Sequence, residues 1–137
     1  MPRSLLLLLA AALLVLGGCA TSKKNDGMTN TLNRYGSTVR WGDFETASMF
    51  LDPKYREEHP LTSLELSRYQ QLRVTAYDDG NGPTPSGENE VTQVVQIGVT
   101  NVNTQAERMI IDRQVWRYDA AKNQWWLVSG LPNVTPQ

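Results

Sequence analysis

The chain has 137 residues, with 13 Lys+Arg against 14 Asp+Glu, one cysteine and one histidine. That length suits one domain, and the balanced charge, with no basic cluster beyond Lys23-Lys24, gives no footprint for a nucleic-acid binder. A lone Cys19 rules out an internal disulfide, and with His59 as the sole histidine it leaves no Cys/His zinc set. No metal and no cofactor is expected.

Met1 to Ser4 carry a positive charge at Arg3, and Leu5 to Leu16 form an unbroken apolar run. Leu16-Gly17-Gly18-Cys19 follows at once. Charge, apolar core and small residues at a cleavage point are the grammar of a removable signal peptide. The tetrad resembles the lipobox of bacterial lipoproteins. That resemblance implies residues 1–18 as the signal peptide and Cys19 as the first residue of the mature chain. The cysteine thiol would accept a diacylglyceryl group as a thioether, and the freed amine a further acyl chain such as palmitate. Two or more chains hold a protein stably on a membrane, at about 0.8 kcal/mol per buried methylene. The apolar run is short for a spanning helix, which needs about 20 residues. In Gram-negative lipoproteins Asp after the cysteine favours inner-membrane retention. Ala20 stands there, so the resemblance implies the outer membrane, facing the periplasm.

Residues 19–30 are polar and read as a lipidated cysteine with a flexible tether, reaching at most about 35 Å. The domain then spans residues 31–137. Leu32, Tyr35 and Val39 have helical spacing over Thr31 to Trp41, weakened by Gly36. Gly42-Asp43 offers a break and an N-cap for a second short helix, which Asp52-Pro53 stops. Pro53 to Pro60 is a charged turn with room for one helical turn around Tyr55.

From Leu61 the pattern moves toward period two. Leu72, Val74 and Ala76 alternate with polar neighbours, and Asp78 to Glu88 is a turn-rich loop. Val91, Val95, Ile97 and Val99 mark a second strand, with Gln93 on their face. Arg108 to Tyr118 is a third, with Met109, Ile111 and Val115 on one side and Ile110, Asp112, Gln114 and Trp116 on the other. Gln124 to Ser129 is a fourth, after a hairpin-length loop. Helices followed by consecutive antiparallel strands predict an α+β fold: N-terminal helices on a curved antiparallel sheet of about four strands.

Two stretches carry a resemblance to the nuclear transport factor 2-like (cystatin-like, SnoaL-like) superfamily. One is Tyr35 to Leu51 (YGSTVRWGDFETASMFL). The other is the closing hairpin, Val115-Trp116-Arg117-Tyr118 and then Trp125-Trp126-Leu127-Val128. The resemblance covers most of residues 31–131 and implies a cone with a mouth, often dimers across the sheet, and no single function.

Asp112 is the carboxylate to watch, because burial on the strand's inner side would raise its pKa and suit a general base. Tyr35 and Tyr69 are its candidate partners. The competing reading puts Asp112 on an open sheet face, paired across strands. His59, among Glu57, Glu58 and Pro60, reads as a surface histidine. Arg73, Arg108, Arg113 and Arg117, with Gln71, Gln93, Gln96 and Gln114, read as a solvated or interacting face. Trp125 and Trp126 must point to opposite faces of one strand, so one is core and the other marks a binding surface with Arg113. Asp78-Asp79-Gly80-Asn81-Gly82 lacks the spacing and distal Glu of a calcium loop and reads as a turn. These residues predict a membrane-anchored envelope lipoprotein with a non-enzymatic binding, structural or accessory role, partnered by the membrane and by an envelope protein or a second copy. The alternative is an isomerase- or dehydratase-like enzyme using a pocket Asp with Tyr.

Overall fold

Met28, Leu32, Tyr35 and Val39 fall four, three and four residues apart, so a helix aligns them in one apolar stripe. The computed structural model describes residues 2–136, and the side chains of residues 18–136. In it this helix is α1 (Pro2–Arg40). Leu16 and Gly17 of the LGGC tetrad lie outside the residues whose side chains are described; Gly18 and Cys19 are exposed. Ala20 to Asn30 is helical, which corrects the flexible tether. The stripe continues N-terminally through Met28, packed on the core, and this gives the polar segment a reason to stay helical. Gly36 does not weaken the helix. It lets the Tyr77 ring lie against the backbone, where a Cβ would stand 2.8 Å from Cε1.

Asp43 caps α2 (Phe44–Ala47), accepting from Thr46 N at 2.9 Å, and a 3-10 turn (Ser48–Phe50) follows. Asp52 caps α3 (Pro53–Glu58). The sequence reading missed α4 (Ser63–Gln70). Its signal is Thr62-Ser63-Leu64-Glu65, a capping box in which Thr62 and Glu65 each satisfy the other's backbone N–H.

Five strands follow: β1 (Leu72–Asp78), β2 (Thr84–Gly87), β3 (Glu90–Asn101), β4 (Glu107–Asp119) and β5 (Gln124–Leu127). They form one curled antiparallel sheet in the order β1-β3-β4-β5, with helices packed on it. This is the α+β architecture expected. The short β2, hidden in the turn-rich loop, pairs with Glu90–Thr92 of β3, while β1 pairs with Gln96–Asn101 of the same strand. A bulge between Val74 and Ala76 bends β1.

The core lies between the helices and the inner face of the sheet. Leu32, Tyr35, Val39, Phe44, Ala47 and Leu51 meet Val91, Val95, Ile97, Val99, Ile110, Trp116 and Leu127 there. Tyr35 stands edge-on to Trp116, ring centroids 5.1 Å apart, and Phe44 stacks on Tyr69 at 4.3 Å. Each large side chain contributes about 2–3 kcal/mol on full burial.

Candidate functional site

Strand parity places the inner side chains. On β3 the residues Val91, Gln93, Val95, Ile97 and Val99 point inward, and on β4 Ile110, Asp112, Gln114 and Trp116 do so. Their register sets Gln93 beside Gln114 and Val95 beside Asp112. Gln93 and Gln114 are therefore buried, which corrects their assignment to a solvated face: their position along the strand outweighs their polarity.

Gln114 is the hub of the polar group. Its Oε1 accepts from Gln93 Nε2 at 2.9 Å and from Trp116 Nε1 at 3.0 Å. Its Nε2 donates to Asp112 Oδ2 at 2.8 Å and to the Tyr77 hydroxyl at 3.1 Å. Both donors and both acceptor sites of the amide are used. Asp112 is only 7% exposed. Burial pushes its pKa from 3.8 to about 6, against the opposing hydrogen bond from Gln114.

Three phenols share this interior. Burial, and secondarily the Asp112 charge, pushes Tyr35 well above its usual range. Burial takes Tyr77 up to about 12, opposed by the bond from Gln114. Tyr69 also rises to about 12, through burial first and the nearby Glu65 and Asp112 charges next. All three stay protonated near neutrality, as donors. Tyr35 Oη and Gln93 Oε1 are buried without a hydrogen-bond partner. Tyr69 donates to Pro132 O at 3.0 Å. The Asp112 charge is felt at Tyr35 without a hydrogen bond between them, Tyr69 is committed elsewhere, and Tyr77 is the phenol that sequence reasoning missed. A carboxyl poised near pH 6 beside neutral donors has the components of acid–base chemistry. Here Gln114 links the carboxylate to the Tyr77 hydroxyl.

The outer face of the same strands is the reverse. Met109 is 56% exposed, Ile111 51% and Val94 47%. Arg113 is exposed directly across from Val94. Between these residues the surface is low, because Gly98 faces Met109 on one side and Ala76 on the other. Arg117 pairs with Glu90 at 3.5 Å on this face, whereas Arg108 has the inner parity and reaches the carbonyl of Val134. Trp126 is half-buried on this face, with an unpartnered Nε1, whereas Trp125 is core. The most exposed aromatic is Trp41, at 85%. It lips a cleft of about 600 Å³ between the end of α1, β1 and the end of α4. His59 is exposed and stacked on Tyr55 at 4.5 Å.

One further cluster carried no local sequence signal. Lys24 extends the stripe of α1 by one more turn. Its ammonium donates to Glu88 O at 2.9 Å and Asn89 Oδ1 at 2.8 Å. It also lies 4.9 Å from the centre of the Tyr118 ring and 5.8 Å from that of Trp125. Trp125 Nε1 returns a bond to Lys24 O at 3.1 Å. Two oxygens and two ring faces thus seat a charge on an otherwise apolar stripe.

Among the described residues, no group of three His, Cys, Asp or Glu side chains is placed to hold a metal ion. Comparison with protein families, with curated proteins and with solved structures finds no match to this chain.

Proposed function

We propose that this protein is a lipid-anchored component of the bacterial envelope, held through Cys19, whose domain works as a binding or accessory module. The observation that carries the binding role is the inversion on β3 and β4: the polar residues turn inward onto partners of their own, and Met109, Ile111 and Val94 are left to solvent. An exposed apolar set with an arginine beside it is the composition of a protein-facing surface. The LGGC tetrad supports the anchor, with the outer membrane as its destination. Helices on a curled sheet are compatible with the nuclear transport factor 2-like family, whose members often meet across the sheet.

The test has two arms. Cys19→Ser should remove the protein from the outer-membrane fraction; continued sedimentation with the outer membrane refutes the anchor. Met109→Asp with Ile111→Asp should change the sedimentation mass of the extracted protein or its envelope cross-links, with thermal unfolding unaltered. No change in either refutes the binding face.

A second reading, an isomerase- or dehydratase-like enzyme, draws on Asp112 with its raised pKa beside Tyr35 and Tyr77. Complementation of a deletion strain separates the two. Asp112→Asn abolishes function if the enzyme reading holds, and the Met109/Ile111 pair does so if the binding reading holds.

A further inference from the structure

The anchor and the Lys24 cluster lie on one helix, with Lys24 only five positions beyond Cys19. Along an α-helix, five residues advance about 7.5 Å. Fully extended, they span at most about 18 Å. The helical docking of Lys24 therefore replaces a leash of about 35 Å with a much shorter one. What the leash is tied to matters as well. Lys24 is gripped by the β2–β3 turn, through Glu88 and Asn89, and by Tyr118 and Trp125, which flank the β4–β5 turn. Both turns belong to one end of the sheet. At the other end stand the β3–β4 turn and Trp41, where Val102 N donates to Gln71 O at 2.8 Å. Arg40 is about 24 Å from Lys24 along α1, and the twelve residues of β3 run about 40 Å between the two ends.

We infer that the domain has a fixed membrane-facing end. The Glu88-Asn89 and Asp119–Asn123 turns lie against the lipid headgroups, and the Trp41 cleft is held at the far end, toward the periplasmic space. This rests on the lipid anchor at Cys19 proposed above. The partner of the near end is the lipid surface itself, and the clasp on Lys24 sets the orientation. Without the clasp, the turns of α1 just after Cys19 would be free to unwind into the long tether that their composition suggests, and the domain would tumble.

The experiment uses the full lipidated protein in phospholipid vesicles whose headgroups carry a nitroxide, a quencher that acts at near contact. Acylation consumes the only native cysteine, so a thiol-specific fluorophore labels a single introduced one. Lys122→Cys reports from the near end and Asn103→Cys from the far end. The near label should lose most of its emission and the far label should keep nearly all of it. In a Lys24→Glu background, which sets a carboxylate against the Glu88 carbonyl and two ring faces, that contrast should collapse. Equal quenching at both ends of the unaltered domain overturns the orientation, and a contrast that survives Lys24→Glu with the domain folded by circular dichroism overturns the clasp as its cause. Vesicle flotation reads the anchor separately. Protein that fails to float refutes anchor and orientation together, whereas protein that floats but quenches equally refutes the orientation alone.

Discussion

The two faces of β4 hold the wrong residues for a simple sheet. Inside, where apolar side chains belong, stand Asp112 and Gln114, with Gln93 beside them on β3; outside, where charge and amide belong, stand Met109 and Ile111, with Val94 across the diagonal. The inner set is tolerable because Gln114 fills all four of its hydrogen-bonding positions, and an unmade bond there would cost about 1–3 kcal/mol. The outer set has no such compensation within the chain. The inner face is thus held by a fully bonded hub, while the outer face leaves its apolar side chains to solvent.

That contrast can be broken most severely at its hub. Gln114→Ala should destabilise the domain by about 4 kcal/mol in chemical denaturation, since it strands Trp116 Nε1, the Tyr77 hydroxyl and a buried carboxylate at once. A loss below about 1 kcal/mol would mean that the polar interior is not a connected network.

Asp112→Asn sharpens the same point through pH. The folded pKa of Asp112 is raised from 3.8 to about 6, so the folded chain holds the proton more tightly than the unfolded chain does. Its contribution to stability is complete below pH 3.8 and is lost as pH climbs through about 6. The asparagine variant, which stays neutral, should match the parent near pH 4 and exceed it by about 3 kcal/mol at pH 7. Measuring both proteins across that range isolates Asp112 from the exposed Asp43 and Glu65. Hydrogen bonds from Thr46 and Thr62 respectively lower their pKa values and give the opposite slope. A gap that stays constant with pH would show that Asp112 is ionised in both states.

The outer face should barely respond by the same measure. Ile111→Thr should alter unfolding free energy by less than about 0.5 kcal/mol, because the side chain is half exposed and threonine keeps the β-branch. A cost above about 1.5 kcal/mol would place Ile111 among the packed residues and remove the contrast.

Much of this was legible in the sequence. Period-two parity on Arg108 to Tyr118 puts Asp112, Gln114 and Trp116 on one side, and the Leu32, Tyr35, Val39 spacing names the buried stripe of α1. The buried glutamines were misjudged because residue type was allowed to overrule parity. The capping box at Thr62 to Glu65 was readable and passed over, and β2 lay concealed in a loop where Pro85 and Gly87 argue against a strand. The Lys24 clasp had no local signature. It joins residues more than sixty positions apart, and a lysine in a polar stretch gives no sign of the two rings that fold will bring over it.

The sheet's borders have a consequence of their own. An uncovered strand border is a template for another chain. At one side, β5 has four residues, and Leu51 bridges to Leu127 while Asp52 N donates to Leu127 O at 2.9 Å. At the other, β1 carries a bulge, Arg40 Nη1 occupies Val74 O at 2.7 Å, and the turn around Gly80 separates β1 from the proline-bearing β2. Neither border offers a long, flat run of free amides and carbonyls, so strand-to-strand polymerisation between crowded copies of the domain has no purchase.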